Sequence, residues 1–330
     1  MSHGLPGILV LTMGGPPRLE DVRPFLRNLF SDPLIFRFPL GSILQTPFAL
    51  LVSSLRAGKV KRLYQQIGGG SPLGEITQRQ ASALEMDLSS RGYAFPVAVA
   101  MRYWKPDTLE AIERMLDRSV DRIIALPLYP QYSRATTGSS LHLLETVVKG
   151  SGSSLSVRAI ESWCSHPGYL ACIAGRIEKA LDQVGYGPHT ALLFVAHSLP
   201  QRFVQEGDPY VQEVERTVQG TLSLLAAQAT CSTIPWYLAY QSRVGPVQWV
   251  GPPVEEVLHQ MIDQGHHKIV VIPVSFVSDH LETLYEIDIQ YRNMASRCGA
   301  SVFERIEALN DAPDFIQCLA DLVIRKAQEQ

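Results

Sequence analysis

Short apolar runs rich in β-branched residues recur along the chain, and stretches of helical periodicity separate them. In the first half the runs GILVLTM (7–13), FPVAVAM (95–101), DRIIALPL (121–128) and LSVRAI (155–160) predict four strands. ALLFVAH (191–197), IPWYLAY (234–240), KIVVIPV (268–274) and SVFERI (301–306) predict four more in the second. Helix-like stretches at 107–118, 208–228, 253–264 and 281–297 lie between them, and this alternation predicts parallel sheets wound by βα units. One four-strand plan is therefore used twice. The predicted division is 1–160, 161–310 and a closing helix in 311–330 that packs back on the first half.

The polar and glycine- or proline-rich motifs follow strand ends. Met13-Gly14-Gly15-Pro16, Arg102-Tyr103-Trp104 and Pro130-Gln131-Tyr132-Ser133 do so in the first half; His197-Ser198-Leu199-Pro200, Gln241-Ser242-Arg243 and Ser278-Asp279-His280 do so in the second. Ligands of open parallel sheets bind at the carboxyl ends of strands, so the site is expected there, in a cleft with one such edge on each side. Residues 34–55 break the rhythm with a long, largely apolar insertion carrying three phenylalanines and two prolines. Core packing is its ordinary use. An apolar lip over a flat ligand, or a peripheral membrane contact, is the functional one.

Composition removes several function classes. Hydrophobic residues at 46% and charged residues at 18% are ordinary for a soluble α/β enzyme. A net charge of −3 without a dense Lys/Arg block speaks against nucleic acid. No apolar run reaches the roughly 18 residues of a spanning helix, and no leader pattern opens the chain, so a cytoplasmic protein is expected. Cys164, Cys172, Cys231, Cys298 and Cys318 are too scattered for a disulfide framework or a CxxC metal site and read as buried thiols.

His197 ends an apolar strand, which should project its ring from the strand tip. Asp279 and Glu282 have capping-box spacing, which predicts a helix starting there. On that helix Glu282, Glu286 and Gln290 recur every four residues as a polar stripe, with Leu284, Ile287, Tyr291 and Met294 as the apolar face. Imidazole with carboxylates suits divalent first-row metals and equally suits proton transfer. Residue types alone leave metal hydrolase, chelatase and isomerase open. Ile67-Gly68-Gly69-Gly70-Ser71-Pro72 lacks the spacing of a nucleotide loop, but backbone amides there could approach an anion, with Arg56 and Tyr64 nearby.

Taken together, LTMGGPPRLEDVRPFLRNLFSD, YQQIGGGSPL, MRYWKP, PLYPQYSRATTGSS, AHSLPQRFVQEGDPYVQEV, YQSRVGPVQW and FVSDHLETLYEIDIQY resemble the ferrochelatase family along nearly the whole chain. The resemblance implies two Rossmann-like domains, each a four-stranded parallel sheet flanked by helices. It implies insertion of Fe²⁺ into protoporphyrin IX with loss of two protons, giving protohaem, with no organic cofactor. By resemblance His197 is the catalytic histidine and Glu282 its acidic partner across the cleft. His197, Glu282 and Glu286 would meet the metal, with His280 beside them. Met13, Arg102, Tyr103, Tyr132 and Trp249 match positions around the macrocycle, and Arg56, Tyr64 and Ser71 match positions near its propionates. Residues 34–55 match the hydrophobic lip.

The departures limit the resemblance. Gln290 stands where animal enzymes carry a further glutamate, and Arg134 stands where they carry a cluster-binding cysteine. With the chain ending at Gln330, an iron–sulfur cluster is not expected, and a bacterial form, monomer or homodimer, is. Coproporphyrin III or another metal would suit a related chelatase, and a non-catalytic porphyrin or haem carrier is the rival outside enzymes.

Overall fold

The computed structural model describes residues 5–36, 42–227 and 234–329, and the chain divides into two compact units, 1–162 with 310–330 and 163–309. In the first unit β1 (Leu5–Thr12), β2 (Val97–Met101), β3 (Val120–Pro127) and β4 (Ser156–Ala159) form a sheet in the order β2-β1-β3-β4. In the second, β5 (Thr190–His197), β6 (Trp236–Gln241), β7 (Lys268–Pro273) and β8 (Val302–Arg305) repeat it as β6-β5-β7-β8. Every pairing is parallel. These are the eight predicted strands, each bounded within two residues of its apolar run. In each sheet the chain leaves a central strand to one side and then crosses to the other. The switch points lie at the carboxyl ends of β1 and β5.

The central strands are apolar because both of their faces are covered. Ile8–Leu11 of β1, Ala191–Ala196 of β5 and Ile269–Ile272 of β7 are essentially inaccessible. On one face of the second sheet Leu193, Val195, Ile269 and Val271 meet Val254, Val257, Leu258 and Met261 of helix Val254–Asp263, together with Ile287 and Tyr291. Each such buried side chain stabilises the fold by about 1.5–3 kcal/mol. Ile287 and Tyr291 thus anchor the segment that carries Glu282 and Glu286.

Helix Pro313–Gln328 packs on helix Leu73–Ser90 and on β3 in the first unit. Arg79 pairs with Asp311 at 3.0 Å, and Gln80 Nε2 donates to the Asn310 carbonyl at 2.7 Å.

The expected α-helix over 281–297 takes a different form. Residues Glu282–Tyr291 are a π-helix, continued as an α-helix over Arg292–Cys298, and the Arg292 amide donates to the Ile287 carbonyl five residues back. No capping box forms. Asp279 Oδ1 instead accepts the Thr283 hydroxyl at 3.0 Å and lies 3.2 Å from Arg305. Glu282 turns toward two histidines rather than back to an amide.

In the 34–55 insertion, residues 37–41 lie outside the described residues. From residue 42 the insertion forms the start of helix Ser42–Gln65, part of it packed and part exposed. Phe36 and Phe48 pack with Phe30 at ring separations of 5.0 and 6.1 Å, while Leu51 and Leu55 are 60% and 73% exposed. Among the described residues no helix is long and apolar enough to cross a membrane. Cys164, Cys172 and Cys318 are buried thiols and Cys298 is half-buried; Cys231 lies outside the described residues.

Candidate functional site

The carboxyl edge of the second sheet collects the chemistry. His197 ends β5 in register with Gln241 at the end of β6, and the Val274 amide after β7 donates to Val195. Three strand tips therefore sit side by side. The His197 side chain is 38% exposed, and its Nδ1 meets the Ser198 carbonyl. A carbonyl only accepts, so Nδ1 carries a proton and Nε2 is the nitrogen turned to the site. Nε2 lies 3.6 Å from Glu282 Oε1. Tyr210 holds the strand tip, donating its hydroxyl to the His197 carbonyl at 2.9 Å and meeting Ser275 Oγ at 2.7 Å.

His280 follows the same pattern. Its ring is buried, Nδ1 donates to the Ser278 carbonyl at 3.1 Å, and Nε2 lies 3.8 Å from Glu282 Oε2. Phe276 stands beside both imidazoles, with ring centroids 6.3 Å from His197 and 4.4 Å from His280. Two Nε2 atoms therefore converge on one carboxylate. Groups placed this way can share a proton or meet a cation.

Two carboxyls on this edge differ sharply. Burial alone would raise Glu282, but His197, His280 and the Ser242 hydroxyl outweigh it and hold the carboxyl down at about 2. At Glu286 burial first and the Glu282 charge second outweigh Ser242 and His197 and push the carboxyl up to about 7. Ser242 Oγ lies 3.1 Å from Glu282 Oε2 and 2.6 Å from Glu286 Oε2. Ser242 donates toward both carboxyls, Glu286 being the nearer, and of the two Glu286 is the one raised toward neutrality.

This assignment has a measurable sign. Between the ordinary carboxyl value of 4.5 and about 7, the folded state holds a proton at Glu286 that the unfolded chain has lost. The contribution to stability is present at the acid end of that window and is lost as pH rises through about 7. Glu286→Gln keeps the shape and removes the titration. Melting temperatures followed from pH 4.5 to 8 should therefore vary less in the variant than in the wild type. Parallel curves would show Glu286 to be an ordinary carboxylate.

The four residues predicted to meet the metal do not form a ready chelate. Among the described residues no three His, Cys, Asp or Glu side chains are grouped to hold an ion. Glu282 is engaged by two imidazoles and Ser242, and Glu286 by Ser242. Trp249 sits on a loop tied to the segment after β5: Pro200 bridges Trp249, Ser198 Oγ donates to the Val250 carbonyl at 2.7 Å, and Trp249 Nε1 donates to Val244 at 3.2 Å.

The first sheet's edge carries the other predicted residues, with partners the sequence did not show. Arg102 Nη2 and the Tyr103 hydroxyl both donate to Asp32 Oδ2, at 2.9 and 2.8 Å, and the Asp32 side chain is wholly buried. Arg102 Nε also donates to Ser139 Oγ at 2.7 Å, and Ser139 itself donates to Asp32. Burial first, and the Asp32 charge second, raise the Tyr103 hydroxyl well above its ordinary value. Both predicted macrocycle contacts are thus turned onto an internal carboxylate. Met13 is half-buried, its carbonyl accepting the Tyr103 amide at 3.0 Å. Tyr132 is also half-buried, next to Gly138, where a Cβ would lie 3.0 Å from the Tyr132 hydroxyl.

The glycine-rich corner is a packing device. A Cβ on Gly15 would fall 2.4 Å from Ser71 Oγ, and one on Gly70 would fall 2.0 Å from the Pro17 carbonyl oxygen. Side chains there would separate two loops that must touch. Two of the amides expected to face an anion are occupied: Gly69 donates to Tyr64 and Ser71 to Pro16, both at 2.8 Å. Tyr64 is buried, and the Arg56 guanidinium lies over the Phe30 ring at 5.7 Å, its pKa lowered by burial.

Comparison with known proteins follows the same outline. The ferrochelatase family model matches residues 6–327. The chain belongs to the ferrochelatase family. It is 46% identical over 329 residues to the ferrochelatase of Gloeothece citriformis, covering 99% of this chain and 84% of that protein. It is 44% identical to the ferrochelatase of Geotalea daltonii, covering 96% of each. Among solved structures it is similar to the sirohydrochlorin chelatase SirB of Bacillus subtilis subspecies spizizenii in complex with cobalt. That likeness has a TM-score of 0.55 at 12% identity and covers 98% of this chain and 96% of that one. It shows the chelatase fold.

Within a ferrochelatase frame the structure adds residues that strand patterning did not single out. Ser242 was visible only as part of a strand-end motif, and Phe276 only as the first residue of the FVSDHLETLYEIDIQY block. Asp32 was not singled out, because its side-chain partners lie 70 residues or more away.

Proposed function

We propose that the enzyme inserts Fe²⁺ into protoporphyrin IX, the last step of haem synthesis, with His197 as the base that accepts a pyrrole proton. The observation that carries this reading is the pairing of His197, its Nδ1 fixed on the Ser198 carbonyl and its Nε2 facing the site, with the Glu282 carboxylate 3.6 Å away. Planar porphyrin nitrogens must lose two protons as the dication enters. A base with an available lone pair accepts the proton, and a fixed negative charge stabilises both the imidazolium so formed and the arriving cation. Met13, Tyr132 and Trp249 are proposed as macrocycle contacts, with Arg56 and Ser71 toward the propionates. Iron is a substrate in this scheme, and no organic cofactor or iron–sulfur cluster enters it.

The test is an anaerobic insertion assay offering protoporphyrin IX and coproporphyrin III separately with Fe²⁺. Protoporphyrin IX should give the higher kcat/KM. Preference for coproporphyrin III would overturn the substrate assignment, and tight binding of both without turnover would identify a carrier.

A further inference from the structure

Ten consecutive residues, Glu282–Tyr291, adopt a π-helix, a form that usually persists for a single turn. Something outside the helix must hold it open. We propose that Arg305 is the positioning residue that selects this register and thereby fixes Glu282 and Glu286 on Ser242 and the two histidines.

Arg305 ends β8, and its side chain is only 10% exposed. Its guanidinium grips Asp288 as a fork, Nε donating to Oδ1 at 2.9 Å and Nη2 to Oδ2 at 2.8 Å. The remaining nitrogen, Nη1, lies 3.2 Å from Asp279 Oδ1. One rigid cation thus ties the residue three positions before Glu282 to the residue two positions after Glu286. Asp279 is itself tied into the first turn by the Thr283 hydroxyl at 3.0 Å.

The geometry discriminates between helix types. A π-helix places more residues in each turn than an α-helix, so each residue rotates less about the axis. Over the six residues from Glu282 to Asp288 the two registers diverge by roughly a third of a turn. With the lead-in held at Asp279, an α-register would carry Asp288 off the guanidinium fork. The pairing is satisfied in the wide helix and broken in the narrow one. Arg292 adds a second tether, donating to the Phe303 carbonyl on β8 and, through Nε, to the Asp288 carbonyl at 3.2 Å. The apolar anchors Ile287 and Tyr291 hold the helix against the sheet; Arg305 decides how it is wound.

Arg305 touches none of the reacting groups, so its effect should appear in turnover rather than in porphyrin affinity. The proposal rests on Glu282 being part of the reacting pair, and Glu282→Gln is assayed alongside to separate the two claims. Arg305→Lys keeps the charge but loses the fork, and Asp288→Asn removes one charge at constant shape. Arg305→Lys is expected to lower kcat about ten- to a hundredfold, with KM for porphyrin and the melting temperature little changed, as misplaced catalytic groups do. A crystal structure of the variant should show the 282–291 segment rewound toward α. If Arg305→Lys does not fold, Asp288→Asn alone decides, by the same split. Wild-type kcat in the folded variants, or activity lost only in proportion to folded protein, would overturn the proposal while Glu282→Gln is inactive. A fully active Glu282→Gln would overturn the underlying site reading and this proposal with it.

Discussion

Replacement of His197 by alanine should lower kcat for ferrous iron insertion by about 10²–10⁴-fold while leaving the fold in place. The size follows from the role: a positioned base supplies a rate factor of that order, and no other lone pair of comparable exposure sits on the β5 tip. The fold should survive because the contacts that secure this position are made by its backbone. The Tyr210 hydroxyl bonds the residue's carbonyl, and the strand pairing with Gln241 uses main-chain atoms that alanine retains. Glu282 keeps His280 at 3.8 Å and Ser242 at 3.1 Å, so the carboxylate is not left without partners. Steady-state metallation measured anaerobically, together with the melting temperature, checks both halves. A variant that keeps most of its activity would remove His197 from the mechanism.

The largest expected loss of stability lies in the other unit. Asp32→Ala should destabilise the protein by about 3–5 kcal/mol, read from denaturant unfolding, because it strands a largely buried cation. Arg102 is 17% exposed on its side chain, and Tyr103 is buried; each loses its carboxylate at once, and Ser139 loses its acceptor. Asp32→Asn should fall between wild type and alanine, since an amide oxygen can still accept but no longer offsets the guanidinium charge. A loss under about 1 kcal/mol for Asp32→Ala would mean that solvent reaches the network and satisfies it. Substitutions of Arg102 or Tyr103 should accordingly register first as lost stability, before any change in porphyrin affinity.

Much of the fold was legible because it is written in local pattern. Runs such as ALLFVAH and KIVVIPV are apolar since strands covered on both faces need apolar residues at every position, and that demand does not depend on partners elsewhere. The strand-tip location of His197 follows directly from where its run stops. The four-residue spacing of Glu282 and Glu286 placed both on one side of a helix, and four residues make about one turn in either register, so both do meet Ser242. The capping-box reading failed for a physical reason: Asp279 has a stronger partner in Arg305, a fixed cation, than in a backbone amide. The glycine triplet was read as an opening for an anion, whereas at Gly70 that space is filled by the Pro17 carbonyl and the Gly69 and Ser71 amides are already bonded.

What the sequence determined by itself, then, is everything set by periodicity and by where an apolar run ends: eight parallel strands in two equivalent sheets, a histidine at a strand tip and a carboxylate pair on one helix face, which were expected on opposite sides of a cleft and meet on one sheet edge. What the tertiary structure decided is everything set by partners distant in the chain. Ser198 and Ser278 carbonyls orient the two imidazoles, Ser242 links Glu282 to Glu286, and Arg305 opens the helix that carries them. Burial is a property of a residue and its near neighbours, so it leaves a repeating trace. A charge or hydrogen bond is a property of a pair, and Arg305 meets Asp288, like Arg102 meeting Asp32, only after the chain has folded.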